Sequence, residues 1–368
     1  MKHLGIFLVV VVFGSLGCIS PLRNVPDAAS DAGNDMGADS GVDSALDSPV
    51  DSPAPPQMDS GQAGTSDVDG GADFADSNPM DAGIDTAGVV CTSCTSWGMP
   101  DQLSEIPSAL PELSGLATSQ LHPGILYTHN DSGDTARFFA INQKAEVNAE
   151  IHLSGVTATD WEDINVGPCP SGSCVYVGDT GDNKLERNQL VIYRVPEPDP
   201  LPTDGSIISV TPESFPFIYP DGRHNAETIL VHPITGQIFI VIKETGIPAT
   251  VYEMPLPLQP DVQVTLTLVT SLAIPPADGI VTDGSFHPCG DRLLIRTTST
   301  TGLYEMTRAP GDSMASLFGA PPVMVPVAVE TQGEAVSYAQ DGRSYFTSGE
   351  TVYGSPPTWL SQVDCQAP

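Results

Sequence analysis

Basic residues are scarce in this chain: 13 Lys and Arg stand against 46 Asp and Glu, a net charge of −33. Such a balance repels phosphate backbones and anionic headgroups, which excludes nucleic acid as a partner and favours cations. No apolar run of membrane-spanning length follows residue 18, so the sequence predicts anchoring to a membrane rather than crossing it. Familiar catalytic signatures are missing too. There is no Gly-x-Ser-x-Gly elbow, no Walker loop and no HExxH zinc pair, and no carboxylate spacing singles out a glycosidase acid and nucleophile.

What is present begins at the N-terminus. Residues 1–18 read MKHLGIFLVVVVFGSLGC, with a basic start at Lys2 and His3 and an apolar core from Ile6 to Phe13. That core is the length of a secretory signal. The closing Leu16-Gly17-Cys18 resembles a bacterial lipobox, which implies that Cys18 is diacylated and becomes the mature N-terminus. Membrane contact is then made through the lipid on Cys18. With Ile19 rather than Asp after the anchor, an exported cell-envelope lipoprotein is expected, at the outer membrane or cell surface.

Residues 19–90 contain 14 Asp, no Glu, no Lys and the single basic Arg23. Asp27, Asp31, Asp35, Asp39, Asp43, Asp47 and Asp51 recur every fourth residue, a spacing that would stack like charges on one helix face. Gly, Ser and Pro fill the gaps, so a disordered, self-repelling linker is predicted.

Residues 91–368 form the predicted domain. Its six cysteines, Cys91, Cys94, Cys169, Cys174, Cys289 and Cys365, favour disulfides in an exported chain. Five segments repeat one plan of polar motif, apolar strand, turn and second strand, starting near Glu112, Trp161, Ala226, Thr282 and Gly333. A third strand follows each, and the first four add an outer strand. Repetition at about 50 residues predicts an all-β fold, a five-bladed β-propeller, with a six-bladed ring or a β-sandwich as the alternative. The fifth repeat lacks an outer strand, and the segment from Gln102 to Leu110 is expected to supply it and close the ring. In that topology all six cysteines fall on one face. Cys169 is expected to pair with Cys174, and Cys289 and Cys365 with Cys91 and Cys94 in either order. The linker would enter on that face, leaving the other turned away from the membrane.

One oxygen-bearing side chain opens each inner strand: Ser114, Glu162, Glu227, Ser285 and Glu334, separated by 48, 65, 58 and 49 residues. Carboxylates converging on a narrow axis need a counter-ion, and calcium takes six to eight oxygen ligands. Calcium is therefore the expected cofactor. On the same open face the topology gathers His129, Asn130, Asp131 and Asp134 near Asp160, Asp179, Asp182 and Asn183. His224 precedes the third repeat there, and Lys243 and Arg296 end the second strands of repeats three and four. His129, Asp131, Asp179, Asp182, Lys243 and Arg296 are the candidate ligand-binding or catalytic groups. The histidines of the His-Pro turns, His122, His232 and His287, read as structural, and Trp161 as packing between blades.

The motifs ELSGL, WEDI, AETI, GSF and GEAV resemble the inner-strand motifs of the soluble calcium-activated apyrases, five-bladed propellers that hydrolyse nucleoside di- and triphosphates. The resemblance implies one Ser or Glu per blade around an axial calcium, at Ser114, Glu162, Glu227, Ser285 and Glu334. LYTHNDSGD and VYVGDTGDN are similar to that family's blade-one and blade-two loops. The combination LSGL, HNDSGD, DWE and GDxGDN looks closer still to a group of bacterial extracellular propellers without established activity. Two functions follow as expectations. One is a calcium-stabilised surface module that binds a phosphate ester, glycan or protein, or serves as a scaffold. The other is a calcium-dependent nucleotide phosphohydrolase, with a metal-bound water, Asp131 or Asp179 as base, and Lys243 and Arg296 stabilising charge.

Overall fold

Short runs of Val, Ile, Tyr and Phe, broken every few residues by Gly, Pro, Asp or Asn, are too short for helices and pair as hairpins. The computed structural model describes residues 94–351 and 357–367; the signal segment, Cys18, the acidic linker and Cys91 lie outside them. Two strands lead in, β1 (Ser96–Trp97) and β2 (Asp101–Glu105). The first meander is β3 (Leu113–Thr118), β4 (Ile125–Asn130), β5 (Arg137–Asn142) and β6 (Val147–Leu153). The second runs β7 (Trp161–Cys169), β8 (Gly172–Asp179) and β9 (Leu190–Pro196), then β10 (Ser206–Val210) and β11 (Glu213–Ile218). Next come β12 (Ala226–Val231), β13 (Ile238–Ile242), β14 (Thr250–Glu253), β15 (Val264–Thr265) and β16 (Thr267–Ser271). The fourth comprises β17 (Val281–Phe286), β18 (Arg292–Thr297), β19 (Leu303–Thr307), a short α1 (Met314–Phe318) and β20 (Val323–Met324). Last are β21 (Gly333–Tyr338), β22 (Ser344–Gly349) and β23 (Trp359–Ala367).

These strands make five sheets. Inner strand β3 packs beside β7, β7 beside β12, β12 beside β17, β17 beside β21, and β21 beside β3. The ring therefore closes at five blades, and the six-bladed alternative is excluded. Closure is by β2, which pairs antiparallel with β23, Asp101 opposite Gln362 and Glu105 opposite Trp359. The closing strand is shorter than expected from the sequence, because Pro107 has no amide hydrogen to continue the ladder. A feature not foreseen is that two blades borrow a fifth strand: β10 adds in parallel to β6, and β15 to β11. Each is a detour of the following blade onto the edge of the one before, and it covers an otherwise unpaired edge.

The core is divided among the five blade interfaces. Tyr127, Phe138 and Trp161 fill the first, and Tyr176, Phe217 and Tyr252 the second. Phe239, Phe286 and Phe318 fill the third, Tyr338 and Tyr345 the fourth, and Phe139 and Phe346 the last. Each such ring buried contributes about 1.5–3 kcal/mol, so stability depends on every interface being made.

Cys94 is bonded to Cys365, and Cys169 to Cys174. Cys289 is also disulfide-bonded. Cys169 and Cys174 flank the β7–β8 turn, Cys289 lies in the β17–β18 turn, and Cys365 lies beside the start of β22. All are on one face of the disc, as expected. Disulfides point to an oxidising compartment, and no helix among the described residues is long and apolar enough to cross a membrane.

Candidate cation site at the tunnel mouth

Each inner strand carries the same irregularity at its start. The pairing slips between Leu113 and Gly115, Trp161 and Asp163, Ala226 and Thr228, Val281 and Asp283, and Gly333 and Ala335. The residue expelled from the ladder is thus Ser114, Glu162, Glu227, Thr282 or Glu334. A bulge frees one residue from pairing and re-aims its side chain, and five of them in register crown one end of the tunnel. Four positions coincide with the set read from the sequence. In blade four the equivalent residue is Thr282, and Ser285 lies three residues deeper, where its Oγ accepts the Tyr338 amide at 3.0 Å. Alignment on the GSF motif placed the serine; the bulge, which no motif displays, places the threonine.

The two hydroxyls at the crown are occupied by backbone. Ser114 Oγ donates to the Glu162 carbonyl at 2.8 Å and Thr282 Oγ1 to the Gly333 carbonyl at 3.1 Å, so both stitch one blade to the next. Glu227 is ion-paired with Lys243. Glu334 accepts from Gln332 Nε2 at 2.5 Å, which also donates to Glu350 at 2.5 Å. Glu162, only 3 % exposed, receives no hydrogen bond at its carboxylate among the described residues.

Glu162 is instead one of three converging acids. Ligand oxygens of Asp131, Asp160 and Glu162 all lie within 4.8 Å of one another. Their placement is built by neighbouring loops. Asp131 follows β4 and is fixed by its amide donating to the Glu112 carbonyl at 2.8 Å. Asp160 precedes β7; its amide donates to Asp179 Oδ1 at 3.1 Å, and its carbonyl accepts the Gly181 amide at 3.1 Å. Gly181 presses its bare α-carbon against the Asp160 and Glu162 carboxylates, leaving no room for a side chain.

Burial and mutual repulsion act together on these acids. Burial, then the charges of Asp131 and Asp160, drives the Glu162 carboxyl well above the usual range. Burial, then Asp131, raises Asp160, and burial, then Asp131 and Glu112, raises Glu350. Burial pushes Glu334 up to about 7. Lys243 opposes the rise at all four, but it is already paired with Glu227. A cradle of crowded carboxylate oxygens with no nitrogen or sulfur donor fits a hard divalent cation such as calcium.

The other residues expected at this face are disposed differently. His129 is fully buried beneath the mouth, its Nδ1 on the Asn130 carbonyl at 2.8 Å. Burial lowers its pKa, so the ring is neutral, and Nε2 has no partner. Asp179 is bound to Arg187 at 2.7 Å and to the amides of Thr159 and Asp160; it positions Asp160. Asp182 accepts the amides of Glu186 and Arg187 and shapes its own loop. Asp134 pairs with Arg137, and His224 with Asp221 and Glu244. Arg296 packs its guanidinium against Gly333 instead of joining the three acids. It is fully buried, pairs with Glu330 at 2.8 Å, and caps the carbonyls of Thr297, Ser299 and Gly302. Strand-end counting placed it on the right face but could not show its side chain turning sideways into the blade-four to blade-five interface.

Sequence reasoning missed Gly181, Gln332, Glu350 and Thr282 as parts of this constellation. The first lies within the GDTGDN run, where tight-turn chemistry explains the same letters.

No protein-family model and no curated protein matches the sequence. Solved structures do. An α-L-arabinofuranosidase from Podospora anserina in complex with cellotriose is 10 % identical, covers 75 % of this chain and 98 % of that one, with a TM-score of 0.46. A gluconolactonase from Xanthomonas campestris is 11 % identical over 74 % of this chain and 99 % of that one, with a TM-score of 0.41. A luciferin-regenerating enzyme is 8 % identical over 73 % and 95 %, with a TM-score of 0.40. At these identities no chemistry transfers from them.

Proposed function

We propose that the chain is a lipid-anchored, extracytoplasmic propeller that binds calcium at its tunnel mouth through Asp131, Asp160 and Glu162, and presents that ion as part of a ligand-binding or scaffold surface. The convergence of three acids, two of them packed against the bare α-carbon of Gly181, carries the reading. Its polar, oxygen-only character suits a phosphate ester, glycan or acidic protein group that completes the ion's shell. Anchoring through Cys18 rests on the lipobox. Isothermal titration of the metal-stripped full chain with calcium tests the reading. One ion is expected per chain in the wild type and none at the mouth in Asp160→Asn with Glu162→Gln. Equal binding by both proteins would refute it.

A second reading is favoured by Lys243, whose charge reaches the same carboxylates. A bound cation beside a lysine is the combination that holds a phosphoryl group, as the resemblance to the calcium-activated apyrases implies. In that case Asp131, Asp160 and Glu162 would hold the ion, which would supply charge stabilisation to a phosphoryl group, and Lys243 would add a second positive charge beside it. Arg296 has no part in it. Calcium-dependent phosphate release from ADP, GDP or UDP, lost in Lys243→Met, supports this reading; no release across those substrates leaves the binding reading alone.

A further inference from the structure

At the end of the inner strands opposite the bulges, a cleft of about 510 Å³ lies between blades five and one. Its size is that of a small-molecule site, roughly 300–1,000 Å³. One wall is formed by β22 and β23. They pair with Ser344 opposite Asp364 and Phe346 opposite Gln362, so these four side chains share one sheet face, and all four line the cleft. Tyr345, between Ser344 and Phe346, packs on the other side in the blade-four to blade-five core. Blade one supplies Thr118, Ile125, Leu126 and Gln143. Gln340 Nε2 donates to the Gln120 carbonyl at 2.6 Å and ties the turns of the two blades together. Cys94–Cys365 fixes β23 beside them. Bonds of the fold therefore hold both walls.

Charges of both signs line this cleft without ionic partners. Every other arginine among the described residues bonds a carboxylate, carbonyl or amide oxygen. The exposed guanidinium of Arg343 bonds none of the described residues. Asp341 and Asp364 have no basic partner among them either. Their carboxylates accept only from neutral donors, the Arg343 amide at 2.9 Å and Gln362 Nε2 at 2.6 Å. An independent observation is Ser344. It is 8 % exposed, and its hydroxyl has no partner among the described residues. Alternation along β22 turns it to the side of Phe346, into the cleft. A buried hydroxyl left unbonded there is a hydrogen bond for a ligand to complete.

The sign pattern selects the ligand. A simple anion is repelled by the two aspartates and a simple cation by the arginine. The one aromatic lining residue, Phe346, is 2 % exposed, so no open ring face awaits a sugar. Ile125 and Leu126 give the cleft an apolar side. We infer that this cleft binds a small zwitterion bearing a carboxylate and an ammonium group, a free amino acid or dipeptide. Arg343 takes the carboxylate through charge-assisted hydrogen bonds. Asp341 and Asp364 take the ammonium, and Ser344 Oγ adds a further hydrogen bond. The site is separate from the tunnel mouth and does not depend on its ion.

Isothermal titration of the full chain with glycyl-leucine, to about 10 mM, tests the inference. One peptide is expected per chain. N-acetylglycyl-leucine and glycyl-leucinamide each lack one charge and should bind about ten-fold more weakly or worse. Arg343→Gln and Asp364→Asn, at exposed positions where the fold is not at stake, should show the same loss. Ser344→Ala should weaken binding on the order of five-fold. Asp160→Asn with Glu162→Gln, which alters the mouth alone, should bind the peptide as the wild type does. No binding by the wild type overturns the inference, and so does binding that survives Arg343→Gln. Equal binding of the blocked peptides overturns it too. Uptake of maltose instead of the peptide marks a glycan site and has the same consequence. A peptide lost from the mouth variant but kept by Arg343→Gln belongs to the mouth ion and also refutes it.

Discussion

The carboxylates of Asp160 and Glu162 meet over a single bare α-carbon, that of Gly181, where a methyl group would collide with both. Asp160 precedes β7, Glu162 is its bulged second residue, and Gly181 belongs to the loop after β8. Their meeting therefore depends on the blade-two hairpin closing in register.

Gly181→Ala is expected to keep the fold and lose the site. The added methyl must displace both acids, at a cost of about 1–3 kcal/mol in stability. Calcium affinity should fall by more than the melting temperature alone suggests. Titration calorimetry and thermal unfolding on the same variant separate the two effects.

Calcium should raise the melting temperature by mass action, since only the folded ring assembles the three acids. At an ion concentration of about 100 times Kd the stabilisation is about 2.7 kcal/mol. Glu162→Gln with Asp160→Asn should abolish the mouth contribution while leaving the metal-free protein as stable as the wild type or more so, because a buried, unpaired acid is removed.

The pH dependence of the metal-free protein follows from carboxyls raised by burial. Glu162, Asp160 and Glu350 are all raised, and Glu334 stands at about 7. In the folded state they hold protons that the unfolded chain, with carboxyls near pH 4, gives up. Their stabilisation is complete below about pH 4 and is lost as pH rises towards about 7 and beyond; Glu334 alone accounts for on the order of 3 kcal/mol. The metal-free protein should melt at a lower temperature at pH 8 than at pH 6. Calcium, which displaces those protons, should bind more tightly at pH 8. Melting curves with and without EGTA at both values check the sign.

Much of this was legible in the sequence. Repeats of polar motif and apolar strand gave five blades, and the absent fifth outer strand gave the closure, because both follow from hydrophobic period and chain length. Glu162, Glu227 and Glu334 were found because each opens the inner strand of a repeated blade. Ser285 was chosen over Thr282 because a bulge shifts pairing without altering composition. The borrowed strands β10 and β15 were not visible, since a parallel detour onto a neighbour has no local signature. Asp163 and Asp283 sat in plain view within WEDI and TDGSF, yet only the structure shows each accepting a backbone amide of the following blade.

Arg296 offers a control. Breaking a buried pair by Arg296→Ala leaves Glu330 uncompensated and should cost about 3–5 kcal/mol. Calcium affinity at the mouth should be unchanged. Denaturant unfolding combined with calcium titration below the transition tests both halves.

The disulfides should differ in weight. Cys94–Cys365 closes a loop with a sequence separation of 271, and Cys169–Cys174 one of 5. Chain entropy gives the longer crosslink the larger effect, about 2–5 kcal/mol for its removal. Cys94→Ser with Cys365→Ser should therefore lower the melting temperature more than Cys169→Ser with Cys174→Ser, as read by calorimetry.

The central claim concerns where a cation sits. Crystals of residues 91–368 soaked in manganese or a lanthanide place it by anomalous scattering. The expected result is a peak bounded by Asp131, Asp160 and Glu162 and touching the Gly181 backbone. A saturating soak that leaves those oxygens without a peak, or that puts the mouth ion among other ligands, contradicts the account.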